Sequence, residues 1–69
     1  MKKHKTVYLT TEFGSTIQFN CDTIICIKPD TKRANISHIK LNILDGKGQF
    51  MWFCISHSDL DILNLMYNL

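Results

Sequence analysis

The sequence predicts a β-rich α+β domain: a strongly bent antiparallel sheet, or a small open barrel, of four to five strands followed by one C-terminal helix. Three observations carry this. Segments 5–10, 16–21, 24–28, 37–44 and 49–56 alternate in polarity or are rich in β-branched and aromatic residues, as strands are. Gly14 and the pair Asp45-Gly46 punctuate them as turns. Segment 58–68 changes to helical spacing behind a serine cap.

The first strand, Thr6-Val7-Tyr8-Leu9-Thr10, is β-branched and aromatic, and Gly14 supplies the positive φ of the turn that follows. In the second strand Ile17, Phe19 and Cys21 face one way and Gln18, Asn20 and Asp22 the other. The alternation breaks at Asn20-Cys21-Asp22-Thr23, where short polar side chains compete for nearby backbone, so a bulge or tight bend is expected. Ile24, Ile25, Cys26 and Ile27 form a continuous apolar run, the pattern of a strand covered on both faces, which Pro29-Asp30 ends.

After a polar loop over 31–36, Ile39, Leu41 and Ile43 share one face of the next strand and His38, Lys40 and Asn42 the other. Asp45-Gly46-Lys47-Gly48 is a hairpin signal. The strand that follows is apolar on both sides: Phe50, Trp52 and Cys54 point one way, Met51, Phe53 and Ile55 the other. The helix opens with either Ser56 and Asp59 or Ser58 and Asp61 at capping-box spacing. Leu60, Leu63 and Met66 or Tyr67 recur along it, and Ile62, Leu65 and Leu69 widen the stripe beyond what one sheet face covers.

The chain of 69 residues reads as one domain, 1–69, near the size at which a single core barely offsets the entropy of ordering the backbone. A hydrophobic share of 45% argues against disorder. No apolar run approaches the roughly 20 residues that cross a bilayer. The start, Met1-Lys2-Lys3-His4-Lys5, lacks the apolar stretch of a signal peptide. A cytoplasmic protein is expected, in the host cytoplasm if a virus encodes it, with no membrane partner.

No catalytic constellation and no cofactor site is legible, and the chain is not expected to be an enzyme. Cys54 and His57 are three apart, which on a strand puts them on opposite faces. Cys21 and Cys26 are five apart with no second ligand pair, so a zinc site is not expected. The three cysteines are read as small buried apolar residues.

Interaction has the better case. The two-faced strand and the wide helical stripe exceed what one helix on one sheet can bury, so the chain is expected to associate with itself, as a dimer or higher, or with another protein. The candidate interface residues are Met51, Trp52, Phe53, Ile55, Leu65 and Leu69. A net charge of +2 leaves a nucleic-acid-binding regulator as the competing class. Lys2, Lys3, Lys5, Lys32 and Arg33 are its candidate phosphate contacts, and Trp52, Phe50 and Tyr8 its stacking platforms. A free-standing chain of this size prompts a third class, a phage- or mobile-element-encoded inhibitor of a host system.

The segment from Phe13 to Ile27 resembles the opening of the small flagellar FlbD-like family, through Gly14, Asn20, Asp22, Ile24 and Ile27. The turn Leu44-Asp45-Gly46 and the capped terminal helix extend the likeness over most of the chain. Cys21 stands where that family usually has Pro, and loop 29–38 is longer. The resemblance implies a small sheet-plus-helix module with regulatory or assembly roles and no catalytic residue. The layout of strands first and helix last is also similar to the carbon-storage-regulator family of dimeric RNA binders. Gly14-Ser15-Thr16-Ile17 echoes that family's start, without the Ala-Pro and Arg-rich end of its last strand.

Overall fold

Alternation of apolar residues gives five strands, and the computed structural model, which describes residues 5–67, arranges them in two antiparallel sheets with one C-terminal helix. The elements are β1 (Thr6–Thr10), β2 (Thr16–Asn20), a 3-10 turn (Cys21–Thr23), β3 (Ile24–Pro29), β4 (Ser37–Leu44), β5 (Phe50–Ile55) and α1 (Asp59–Tyr67). The fold is the expected β-rich α+β class. Among the described residues the strands form neither a single sheet nor a closed barrel: β1 pairs with β2, and β3, β4 and β5 pair in that order. The sheets meet where Thr11 bridges Ile55 and the Ser56 N–H donates to the Thr10 carbonyl at 2.7 Å.

The turns use the residues singled out, with one shift. Gly14 has φ +88°, and its N–H donates to the Thr11 carbonyl at 3.0 Å. At the second hairpin the positive φ falls on Gly48, at +79°, not on Gly46. Asp45 builds that loop: its Oδ1 accepts from the backbone N–H groups of Lys47 at 2.8 Å and Gln49 at 3.1 Å. The stumble at 20–23 is a single 3-10 turn, closed by Asn20 Oδ1 accepting from the Asp22 N–H at 2.9 Å. Cys21 belongs to it rather than to β2, and drops into the core.

Val7 and Leu9 from β1, Phe19 from β2, Cys21, Ile39 and Leu41 from β4, Ile55 from β5, and Ile62 and Met66 from α1 form that core. Phe53 packs against it, edge-on to Phe19 with ring centroids 5.4 Å apart.

Two expectations are corrected here, and of the two caps left open one is selected. The apolar run of β3 is not covered on both sides: β3 is an edge strand, and Ile25 is 48% exposed. The helix turns a different face inward. Ile62 and Met66 are buried, Leu63 and Tyr67 half-buried, and Leu60 is 68% exposed. Ser58, not Ser56, caps the helix, its Oγ accepting from the Asp61 N–H at 3.2 Å. Ser56 lies three residues before the helix, where its backbone N–H donates to the Thr10 carbonyl at the junction between the sheets.

Candidate functional site

Strand periodicity and pairing register together build the site. On β4 the inward residues are Ile39 and Leu41, which leaves His38 and Lys40 on the outer face. Lys28 of β3 lies opposite His38, and Cys26 opposite Lys40. From β5, Cys54 lies opposite His38 and Trp52 opposite Lys40. The outer face therefore carries two short rows, Lys28-His38-Cys54 and Cys26-Lys40-Trp52, with Phe50 beyond Trp52. Successive rows on one strand are two residues, about 6.8 Å, apart.

The aromatic residues of this face are open to solvent, Trp52 at 46% and Phe50 at 39%. Lysine ammoniums stand over their rings. Lys28 Nζ is 5.8 Å from the Trp52 ring centroid, and Lys40 Nζ is 5.7 Å from Trp52 and 5.0 Å from Phe50. These distances are within reach of cation–π attraction. Trp52 stands between two clefts. One, of about 380 Å³, holds Lys28, Asp30 and His38. The other, of about 490 Å³, holds Glu12, Phe13 and Ile17.

A polar cluster closes one end. Asp30 folds the loop over 30–36 onto itself: Oδ1 accepts from the N–H groups of Lys32 at 2.8 Å and Arg33 at 3.0 Å. Its Oδ2 meets Arg33 Nη2 at 3.0 Å and His38 Nε2 at 3.0 Å. Arg33 also reaches Glu12 Oε2 at 3.4 Å and Cys54 Sγ at 3.7 Å. The Lys32 N–H, His38 and Arg33 hold the Asp30 carboxyl well below the usual carboxylate range, and Asp30 in turn raises the pKa of the Arg33 guanidinium.

Because the Asp30 pKa is depressed, its contribution to the loop is complete above its ordinary value of 3.8 and is lost as pH falls through the lower, folded value. The Lys32 and Arg33 amide NMR signals are accordingly expected to keep their folded, hydrogen-bonded character down to about pH 4 and to collapse toward random-coil positions only below it. Collapse of the turn centred above about pH 4 would show that it is not held by this carboxylate.

The residues singled out from sequence scatter. Of the expected interface set, Trp52 is on the outer face, and Leu65 is exposed on the helix. Ile55 is fully buried and Phe53 packs on the core, so both serve the interior, and half-buried Met51 shares their face. Inward pairing decides this: Ser37 lies opposite Ile55 and Ile39 opposite Phe53. Of the expected phosphate contacts, Lys5, Lys32 and Arg33 are exposed, with Lys5 at the start of β1, away from the 30–36 loop. Lys2, Lys3 and Leu69 lie outside the described residues.

Lys28, Lys40 and His38 join the site without having been singled out. Their signal was present, in His38 and Lys40 alternating with Ile39 and Leu41 and in Lys28 at the end of the apolar run of β3, but it needed the pairing of β3, β4 and β5 to give it meaning.

Cys21 is in the core, while Cys26 and Cys54 are half-buried at the outer face, so the purely interior reading holds for Cys21 alone. Burial and the neighbouring Glu12 carboxylate raise the Cys54 pKa, which keeps it a thiol at neutral pH. His57 is committed elsewhere, its Nε2 accepting from the Thr10 N–H at 3.3 Å. Among the described residues no three His, Cys, Asp or Glu side chains are grouped to hold a metal, and no helix is long and apolar enough to cross a membrane. No family model, no curated protein and no solved structure matches this chain.

Proposed function

We propose that this chain is a small non-enzymatic interaction module that works by protein–protein contact as a homo-oligomer. The observation that carries the reading is the apolar flank formed by β3 and α1. Ile25, Ile27, Leu63 and Tyr67 line an open groove of about 280 Å³ there. At 100° per residue, Leu60 and Leu65 lie on opposite margins of the buried helical arc, and they are 68% and 43% exposed. The fold thus leaves apolar surface on the free edge strand and on the adjoining helix. Complete burial of each such side chain contributes about 1.5–3 kcal/mol, enough for a few together to drive association. The resemblance of segment 13–27 to the flagellar FlbD-like family is in keeping with a regulatory or assembly role.

Light scattering at tens of micromolar is expected to return a multiple of 8.0 kDa, and Ile25→Lys with Leu60→Glu to return the monomer with its fold intact. A monomer for the unaltered chain at that concentration removes the reading.

A second reading, a nucleic-acid-binding regulator, is favoured by one specific observation: the lysines and open aromatic rings gathered on the outer face of β3, β4 and β5. The two readings use different surfaces and are compatible.

A further inference from the structure

We infer that the outer face of the β3–β4–β5 sheet is a stacking platform for single-stranded nucleic acid, with Trp52 and Phe50 taking bases and Lys28 and Lys40 taking the flanking phosphates. This rests on the nucleic-acid reading above and gives it a site and a ligand class.

The two rings are not there for the core. The inward positions of β5 are filled by Met51, Phe53 and Ile55, and Trp52 and Phe50 remain open on the opposite face. An exposed aromatic pair on a sheet costs solubility and invites association, so its place on the surface calls for a ligand with flat apolar faces. Nucleobases have them, and every base offers one whatever its identity.

The charge on the face fits the same ligand. Its strand positions hold Lys28, His38 and Lys40 and no carboxylate. The acidic groups beside it are engaged: Asp30 is turned to Arg33, His38 and the loop backbone, and Glu12 is paired with Arg33. Lys40 lies directly opposite Trp52 in register, and Lys28 sits over the same ring from β3. An ammonium on a flexible four-carbon stem can leave the ring face for a phosphate while a base takes its place. An acidic peptide would use the lysines but not the rings. A duplex keeps its bases stacked inside and offers neither ring face to Trp52.

Trp52 is the only tryptophan in the chain, so its emission reports directly on stacking. The test is titration of the full chain, at low salt, with oligo(dT) and oligo(U) of about 10 nucleotides, a length within the site sizes of single-strand-binding domains. Duplex DNA and poly-glutamate are run alongside, and binding is followed in parallel by anisotropy of a labelled strand. Saturable quenching by the single strands is expected, with little by duplex or poly-glutamate. Phe50→Ala is expected to weaken binding by about 5- to 150-fold, the range for loss of one stacked base. The logarithm of affinity should fall with the logarithm of salt at a slope of about −1.4 for two phosphates, and Lys28→Ala should bring it to about −0.7. Equal binding of both strands supports the platform with base and phosphate contacts alone. A preference for RNA supports it with an added 2′-hydroxyl contact.

If Phe50→Ala lowers the melting temperature, Lys28→Ala, at an exposed position, and the salt slope carry the test. Binding without Trp52 quenching, unaffected by Phe50→Ala but lost in Lys32→Ala/Arg33→Ala, overturns the platform and leaves the nucleic-acid reading standing. Duplex binding as tight as single-strand binding does the same. No binding of any strand removes both. Quenching by poly-glutamate and not by the strands assigns the face to an acidic polypeptide and overturns the inference.

Discussion

Ile62→Ala is expected to destabilise the protein by about 2–5 kcal/mol in urea denaturation, while Leu60→Ala changes stability by under about 1 kcal/mol. Ile62 is fully buried, and with Met66 one turn on it forms the contact that fixes α1 to the core. Leu60 is two residues earlier and faces solvent. The helix has nine residues, too few to persist alone in water, because nucleation is costly. Its existence therefore depends on the Ile62 and Met66 contact. A marginal domain of this size has about 5 kcal/mol or less to lose, so the midpoint for Ile62→Ala should fall far. Equal effects at 60 and 62 would mean that the helix lies on the sheet in another rotation.

Adjacent positions on β5 are expected to respond to lysine in opposite ways. Phe53→Lys should unfold the protein. The half-buried ring packs edge-on to Phe19 against the core, and a lysine in its place forfeits that contact and sets a charge against apolar side chains. Trp52→Lys should cost less and leave the protein folded with cooperative melting, since the side chain is only partly covered and its loss opens no core, although the new ammonium stands beside Lys28 and Lys40. Its cost falls on function: under the proposed platform it removes the central stacking ring. The reverse pattern, with Trp52→Lys unfolded and Phe53→Lys folded, would place β5 in the opposite phase and dissolve the outer face as a site.

That phase was beyond the reach of the sequence. In β4 the alternation of Ile39 and Leu41 with His38 and Lys40 assigns the faces without help, since only one set can be buried. In β5 both sets are apolar, so Met51, Phe53 and Ile55 were as good candidates for an interface as Phe50 and Trp52. Cross-strand pairing of Ile39 with Phe53 decides the matter. The same holds in the helix, where apolar residues at 60, 62, 63, 65, 66 and 67 allow several inward faces, and only the contact surface selects Ile62 and Met66.

Local chemistry alone determined the order of elements, the turns at Gly14 and Asp45–Gly48, the break at Asn20–Thr23 and a serine cap at the start of the helix. Each rests on interactions within a few residues: a positive φ, a side chain bonding its own backbone, a serine oxygen meeting an N–H three residues on. Tertiary structure alone decided that the strands divide into two sheets, that β3 is an edge, and that Lys28, Lys40, Phe50 and Trp52 share one face. Those facts depend on pairing between residues up to 18 positions apart, such as Ser37 and Ile55, and on rows that cross β4, such as Lys28 to His38 to Cys54. Alternation within a strand states that two faces exist; only the neighbouring strand states which of them is inside.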